Sequence, residues 1–140
     1  MSDPDLQRLR RMWEQFSGPI KGGREQRERF RELYWHPEIT YEEDPRWPGS
    51  ARYEGTDAVA EVFEGYVEIF GAGEITVEEL VEVGDRLVAL IRFNVVSAGG
   101  DVPLDHVWGY VCEARDGKLS YLRAYWDPEE ALAAAGAGSP

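Results

Sequence analysis

Three groups of side chains in this 140-residue sequence are of the types that acid/base chemistry needs. An acidic run, Glu42-Glu43-Asp44, stands before Pro45, His106 stands in an aromatic segment, and Arg92 interrupts a long apolar segment. A carboxylate in an apolar pocket has a raised pKa unless a cation pairs with it. Histidine titrates near neutral pH and can act as a base. The sequence therefore offers a carboxylate, an imidazole and a guanidinium as candidate catalytic or binding groups.

Three predicted helices come first along the chain. Apolar residues recur at helical spacing over residues 4–16, in a second segment that begins after Gly22-Gly23, and over residues 56–70. The second helix stops at His36-Pro37, because the residue before proline is pushed out of the α region. A short strand over residues 39–43 and a proline-rich loop separate the second helix from the third.

From Ile75 onward the apolar pattern changes to that of strands. Tight-turn pairs at Gly84-Asp85 and Asp116-Gly117 predict hairpins, and a last helix begins at Pro128. The four predicted strands cover residues 75–83, 86–96, 102–113 and 118–126. Helices followed by an antiparallel meander predict an α+β domain with helices packed on one face of a sheet.

The predicted strand over residues 86–96 is apolar on both faces. One alternate set is wholly apolar (Leu87, Ala89, Ile91, Phe93, Val95), and the other places two polar residues among apolar ones (Val88, Leu90, Arg92, Asn94). A strand with one wet face should alternate apolar and polar residues, so both faces are expected to be covered. Helices would cover one face, and a second subunit is the simplest cover for the other.

We assign the wholly apolar set to the face that a second subunit covers, and the set with Arg92 and Asn94 to the face under the helices. Buried charge is rarely left unpaired. Arg92 is therefore expected either to bind a polar ligand group or to close an internal ion pair.

Composition excludes several classes of partner. The formal net charge of −12 opposes binding to nucleic acid and to anionic membranes. Basic residues between 24 and 29 alternate with glutamates and predict a solvated, salt-linked helix face. Cys112 is the single cysteine, so no internal disulfide forms and no zinc-ligand spacing exists. No segment has the length and hydropathy of a signal or membrane span, so a cytoplasmic protein without a metal or cofactor is expected.

Four segments resemble signatures of SnoaL-like domains, which belong to the nuclear transport factor 2-like superfamily. They are Tyr53-Glu54-Gly55-Thr56-Asp57-Ala58-Val59, Val83-Gly84-Asp85-Arg86-Leu87-Val88, Arg115-Asp116-Gly117-Lys118-Leu119 and Leu122-Arg123-Ala124-Tyr125-Trp126-Asp127. The resemblance implies one domain over residues 1–140, with a frayed tail at 137–140. It also implies a cone-shaped, curved sheet wrapped around N-terminal helices and an internal apolar pocket. Such domains usually form homodimers through the convex sheet face.

The superfamily includes ketosteroid isomerases, limonene-epoxide hydrolases, polyketide cyclases, dehydratases and pocket proteins without known chemistry. By this resemblance Tyr110 stands where cyclase and isomerase relatives carry an acid, and Ala124 stands where epoxide hydrolases carry an aspartate. Asn94 replaces the acid of the hydrolases' Arg-x-Asp motif. An amide or a methyl group cannot accept a proton from water, so epoxide hydrolysis by that mechanism is not expected. The acidic run resembles the isomerase strand that bears the general base, which makes Glu43 or Asp44 the equivalent residue. The family fold would also bring this run near Arg92, so the resemblance implies an ion pair of Arg92 with Glu42, Glu43 or Asp44.

We therefore expect a cofactor-free acid/base enzyme acting on a hydrophobic carbonyl compound. Glu43 or Asp44 would be the base, and Tyr110 and His106 would polarise the carbonyl. The expected ligand contacts are Tyr41, Trp47, Phe63, Leu90, Arg92, Asn94, Trp108, Ala124 and Trp126. The alternative is a noncatalytic binding or dimerisation module, which the replaced acids at Asn94, Tyr110 and Ala124 favour.

Overall fold

A computed structural model describes residues 4–70, 72–97 and 103–137 of the chain. The helices are α1 (Pro4–Gln15), α2 (Ser17–Gly22), α3 (Arg24–Tyr34), α4 (Thr56–Ile69) and α5 (Pro128–Ala137). The strands are β1 (Trp35–Glu42), β2 (Arg52–Glu54), β3 (Ala72–Val83), β4 (Arg86–Val96), β5 (Pro103–Arg115) and β6 (Lys118–Tyr125). Ala137 belongs to α5, and the rest of the expected tail, residues 138–140, lies outside the described residues.

The six strands form one curled, open sheet in the order β2-β1-β6-β5-β4-β3. β1 runs parallel to β6, and every other neighbouring pair is antiparallel. Two hairpins turn where the sequence predicted them: Asp116 and Gly117 have φ of 55° and 76°, and Gly84 has φ of 62°. Positive φ at these positions gives the turn a twist that matches the flanking strands. The predicted α+β architecture is confirmed.

The inner face of the sheet is the face that packs against α1 to α4. Buried residues of α1, including Leu9 and Trp13, share one hydrophobic core with Leu87, Ala89 and Ile91 of β4. The three β4 residues are fully buried within this single chain. Each buried leucine or isoleucine of this kind stabilises the fold by roughly 2 kcal/mol. The wholly apolar set of β4 therefore belongs to the inner face, and its assignment to a subunit interface is wrong.

The outer face of the sheet is covered in part by α5. Val88 of β4 and Val111 of β5 form a second buried cluster with Ala131 and Ala135 of α5. Both faces of β4 carry apolar residues, and α5 of the same chain covers part of the outer face. Homodimerisation through the outer face stays a prediction, without the support of the wholly apolar set. No helix in the described ranges is long and apolar enough to cross a membrane.

Gly109 lets α5 approach the sheet closely. A Cβ atom at this position would lie 2.5 Å from the Cβ of Ala131 and 3.0 Å from the Cα of Pro128. We expect Gly109→Ala to lower the free energy of unfolding by about 1–2 kcal/mol, since overpacking forces backbone shifts. The matched control is Gly65→Ala on α4, where nothing lies within 4 Å of the added Cβ. That variant should gain up to about 1 kcal/mol from helix propensity. Equal effects in urea unfolding would contradict this account of Gly109.

Candidate functional site

Two adjoining cavities lie between the inner face of the sheet and the helices. The first, here called the apolar lobe, has a volume of about 90 Å³, and its walls include Phe30, Phe63 and Val95. The second, the polar lobe, has a volume of about 40 Å³. Its walls include Tyr41, Glu43, Asp44, Trp47, Trp108 and Ala124. The two lobes share four wall residues and together form one chamber; these residues are Tyr66, Phe70, Phe93 and Tyr110.

Glu43 accepts hydrogen bonds from two tyrosines at the wall of the polar lobe. The Tyr66 hydroxyl donates to Glu43 Oε2, and the Tyr53 hydroxyl donates to Oε1 over 3.4 Å. The backbone N–H of Ala51 also donates to Oε1, at 3.2 Å. The Tyr41 hydroxyl lies 3.1 Å from that of Tyr66. Because the Tyr66 proton points to Glu43, Tyr41 must be the donor in this last pair, which gives a relay from Tyr41 through Tyr66 to Glu43.

The tyrosines of the chamber are neutral hydrogen-bond donors. Burial raises the pKa of Tyr66, and its hydrogen bond to Glu43 raises it further, since the bond favours the protonated phenol. Burial likewise raises the pKa of Tyr41 and of Tyr110 well above the usual value. These phenols therefore keep their protons at neutral pH, so they are able to donate hydrogen bonds and do not act as bases.

Asp44 is buried and holds the chain just after β1. Its Oδ1 accepts hydrogen bonds from the backbone N and from Nε of Arg46, and its Oδ2 accepts from Nη2 of Arg46 and from the backbone N of Trp126. Burial raises the pKa of Asp44, but the hydrogen bonds from Arg46 and Trp126 outweigh it and hold the pKa below its usual value. Arg46 also pairs with Glu130 of α5. The arrangement makes Asp44 an anchor that joins this segment to β6 and, through Arg46, to α5.

His106 lies beside the chamber and is held by Trp126. Its Nε2 is 2.6 Å from the carbonyl oxygen of Trp126, and the two rings stack with centroids 3.7 Å apart. A carbonyl only accepts, so Nε2 carries the proton in this contact. Among the described residues that line the two lobes, His106 is absent, whereas the neighbouring Trp108 and Tyr110 line the polar lobe.

Arg92 lies on the outer face of the sheet, opposite to the prediction. Its guanidinium donates to both carboxylate oxygens of Asp105, at 2.9 and 2.8 Å, and lies 3.9 Å from Glu78. Leu90 and Asn94 share this face by the alternation of β4, and Leu90 packs against the α5 cluster. The expected cavity positions of Leu90, Arg92 and Asn94 and the expected pairing of Arg92 with the acidic run are therefore wrong. The physical reason is that the wholly apolar set packs under the helices, which leaves the mixed set outside.

A family model for the SnoaL-like domain matches residues 9–122. The chain belongs to the SnoaL-like family. Solved structures with the same fold include Bal32a from a soil-derived mobile gene cassette (TM-score 0.72, 15% identity, 92% of this chain and 93% of that chain). A candidate SnoaL-like polyketide cyclase from Jannaschia sp. CCS1 has a TM-score of 0.70 at 18% identity, over 98% of this chain and 94% of that chain.

TerC, co-crystallized with polyporic acid, also resembles this SnoaL-like chain, with a TM-score of 0.68 at 16% identity over 95% of this chain and 98% of that chain. Identities this low establish the shared fold alone. A comparison of the sequence with curated proteins finds no match.

One charged cluster of this SnoaL-like domain was missed by the sequence patterns. Glu64 of α4 accepts hydrogen bonds from Arg27 Nε and Nη2 at 2.6 and 2.8 Å and from Arg31 Nη1 at 3.0 Å. Both arginines line the apolar lobe. Glu64 and Arg31 also line a wider surface groove between α3 and α4, so the cluster lies between the chamber and that groove. Only the pairing of two helices distant in sequence reveals it.

Proposed function

We propose that this protein binds a compact, apolar carbonyl compound in the chamber and moves a proton on it without a cofactor, with Glu43 as the base. The observation that supports the proposal is the position of Glu43 at the wall of an aromatic chamber, at the end of the Tyr41–Tyr66 relay. Within the described part of the chain, no lysine or arginine lies within salt-bridge distance of Glu43. Its carboxylate is therefore not neutralised by a fixed cation.

The hydrogen bonds to Glu43 indicate which oxygen would accept the proton. A carboxylate has about four lone-pair sites. Oε1 accepts from Ala51 and Tyr53, and Oε2 accepts from Tyr66 alone. One lone pair on Oε2 remains for a proton taken from a carbon next to the ligand carbonyl. The electron pair of that C–H bond would form a carbon–carbon double bond, and the π electrons of the carbonyl would move to its oxygen, which Tyr110 of the same lobe would stabilise as a neutral donor.

The chamber favours a small ligand. An engineered protein cavity of roughly 150 Å³ holds one benzene molecule. The apolar lobe, at about 90 Å³, is smaller than that. A ligand with one ring or a branched chain therefore fits after small side-chain movements, whereas a compound with several fused rings requires opening of the helical layer.

A second candidate function is noncatalytic binding of the same kind of molecule. The observation that favours it is the three hydrogen bonds to Glu43. Hydrogen bonds that already occupy a carboxylate leave fewer lone pairs for a proton from a ligand. The methyl group of Ala124 in the polar lobe, where a hydrolase relative would carry an acid, agrees with this alternative.

The test is exchange of the α-hydrogens of cyclohexanone for deuterium in heavy water, followed by NMR. We expect exchange above the buffer rate and a fall of roughly 10²- to 10⁴-fold in Glu43→Gln, the range typical of losing a positioned base. Glu42→Gln is the matched control, because Glu42 pairs with Arg52 and Tyr121 and does not line either lobe.

Two outcomes would count against the catalytic proposal. Exchange at the buffer rate with cyclohexanone bound would favour the noncatalytic alternative. Exchange that is enzymatic and survives Glu43→Gln would show that another group is the base.

A further inference from the structure

Trp108 carries a buried hydrogen-bond donor without a partner. Its indole Nε1 is buried and makes no hydrogen bond to any residue that the structure describes. The contrast with Trp13 is direct, because the indole N–H of Trp13 is also buried and donates to Cys112 Sγ at 3.4 Å. Buried donors are nearly always paired in folded proteins, and an unpaired one destabilises the fold. The donor at Trp108 is therefore open to an acceptor that the described residues do not supply.

Aromatic neighbours hold the Trp108 ring in place. It packs edge-on against Trp47, with centroids 5.7 Å apart, and against Trp126, at 4.9 Å. His106 packs against it as well, at 5.6 Å. Edge-to-face contacts of this kind fix ring orientation. The indole therefore has little freedom to turn its N–H toward solvent, and its side chain is 7% exposed.

Trp108 also stands in the part of the chamber where a ligand oxygen would lie. It lines the polar lobe together with Glu43 and Tyr110. We infer that Trp108 Nε1 donates a hydrogen bond to the carbonyl oxygen of the bound ligand and selects carbonyl compounds over hydrocarbons of the same shape. Indole N–H is a donor only, so the ligand group must be an acceptor. The inference rests on the proposed function for the location of the ligand, but it adds the residue that determines specificity.

The selection has a simple energetic origin. A ketone that enters the polar lobe gives the Trp108 N–H the acceptor that the free protein lacks. A hydrocarbon of equal size fills the same space and leaves the donor unpaired. A site that holds a buried polar group discriminates strongly against analogues that cannot pair with it. His106, by contrast, already donates its proton to the carbonyl of Trp126 and is not available for this role.

The experiment follows the indole N–H signals of the five tryptophans by ¹H–¹⁵N NMR during titration with two probes. Cyclohexanone has the carbonyl, and methylenecyclohexane has the same shape without an acceptor. We expect the Trp108 indole proton to move downfield with cyclohexanone and to stay in place with methylenecyclohexane. The Trp13 indole is the internal control, because its proton is already bound to Cys112.

The ratio of the affinities for cyclohexanone and methylenecyclohexane is a second measurement. It remains informative in a variant whose smaller side chain weakens the binding of both compounds. The preference of the wild type for cyclohexanone over methylenecyclohexane should fall by about tenfold in Trp108→Phe, the value of one hydrogen bond. Trp13→Phe should leave the ratio unchanged. Both ligands are measured in the same variant, so a loss of packing that weakens the two affinities equally does not change their ratio.

The outcomes separate this inference from the proposed function. If cyclohexanone shifts the backbone signal of Glu43 and leaves the Trp108 indole signal unmoved, the inference is wrong and the proposed binding of a carbonyl compound in the chamber stands. If the Trp108 indole moves and no α-hydrogen exchange occurs, the inference stands and catalysis by Glu43 is wrong. If neither probe changes any signal of the chamber at millimolar concentration, both are overturned.

Discussion

Glu64→Gln is expected to lower the free energy of unfolding by about 3 kcal/mol at pH 7. The hydrogen bonds and charges of Arg27 and Arg31 lower the pKa of Glu64 to about 2, although burial opposes the shift. Each pKa unit between the folded and the unfolded chain corresponds to about 1.4 kcal/mol. The variant also leaves two arginines with a neutral partner in a site where the glutamate side chain is 16% exposed.

The pH dependence of this loss has a definite sign. The folded pKa of Glu64 lies below the unfolded value of 4.5, so the stabilisation is fully present above 4.5. It decreases as the pH falls from 4.5 toward 2, because the unfolded chain takes up the proton first. The difference between wild type and Glu64→Gln should therefore be greatest at neutral pH and clearly smaller at about pH 3.

Urea unfolding at both pH values measures the difference, and Glu61→Gln is the matched control. Glu61 is exposed on the same helix, one turn before Glu64, and should change stability by less than about 0.5 kcal/mol. A Glu64→Gln loss of the same size at neutral and acidic pH would contradict ion pairing as its source.

Local patterns predicted most of the elements, although not α2 or β2, and several of the inward-facing positions. Period 2 along β5 carries Trp108 and Tyr110 to one face, whereas a register shift between Glu113 and Ala114 brings Ala124 of β6 opposite Tyr110. The structure places all three at the polar lobe. The shared face of Trp108 and Tyr110 depends only on residues near one another in sequence, which is why it could be predicted without coordinates, whereas the position of Ala124 was expected from the family resemblance.

The orientation of β4 could not be predicted in this way. Both of its faces are rich in apolar residues, and the choice between them depends on α5, which follows β4 by more than thirty residues. The isolated strand contains no signal that α5 returns to cover Val88. The cluster of Arg27 with Glu64 was missed for a similar reason. Within residues 24–29, Arg24 and Arg29 do form the exposed i,i+4 pairs that the pattern predicts, but Arg27 turns toward α4.

The sequence also left open whether Glu43 or Asp44 is the chamber's carboxylate. The structure gives the two acids different surroundings. Asp44 receives four hydrogen bonds, one of them from the backbone of Trp126, 82 residues away. Glu43 receives three hydrogen bonds, from the hydroxyls of Tyr66 and Tyr53 and from the backbone N–H of Ala51. Contacts between distant segments thus distinguish an anchoring acid from a candidate base.

Asp44→Asn is expected to lower the free energy of unfolding by about 2–3 kcal/mol. Each carboxylate oxygen of Asp44 accepts two hydrogen bonds, and an asparagine offers one oxygen and one NH₂ group. If the NH₂ group takes the place of Oδ1, it faces two N–H donors of Arg46. If it takes the place of Oδ2, it faces one N–H donor of Arg46 and the backbone N–H of Trp126. A buried donor left in that position costs about 1–3 kcal/mol, and more where a charge is lost.

Glu43→Gln is the reciprocal variant, and the pair of measurements tests the assignment of roles. Glutamine keeps one acceptor oxygen for Ala51 and Tyr53, and its NH₂ group can donate to the Tyr66 hydroxyl, so its stability should stay within about 1 kcal/mol of the wild type. The effect of Glu43→Gln should appear instead as slower exchange of the α-hydrogens of cyclohexanone. Thermal unfolding of both variants, read beside the exchange rate of Glu43→Gln, measures the contrast. Equal destabilisation by the two substitutions would refute the distinction, because it would mean that Glu43 is as firmly built into the fold as Asp44.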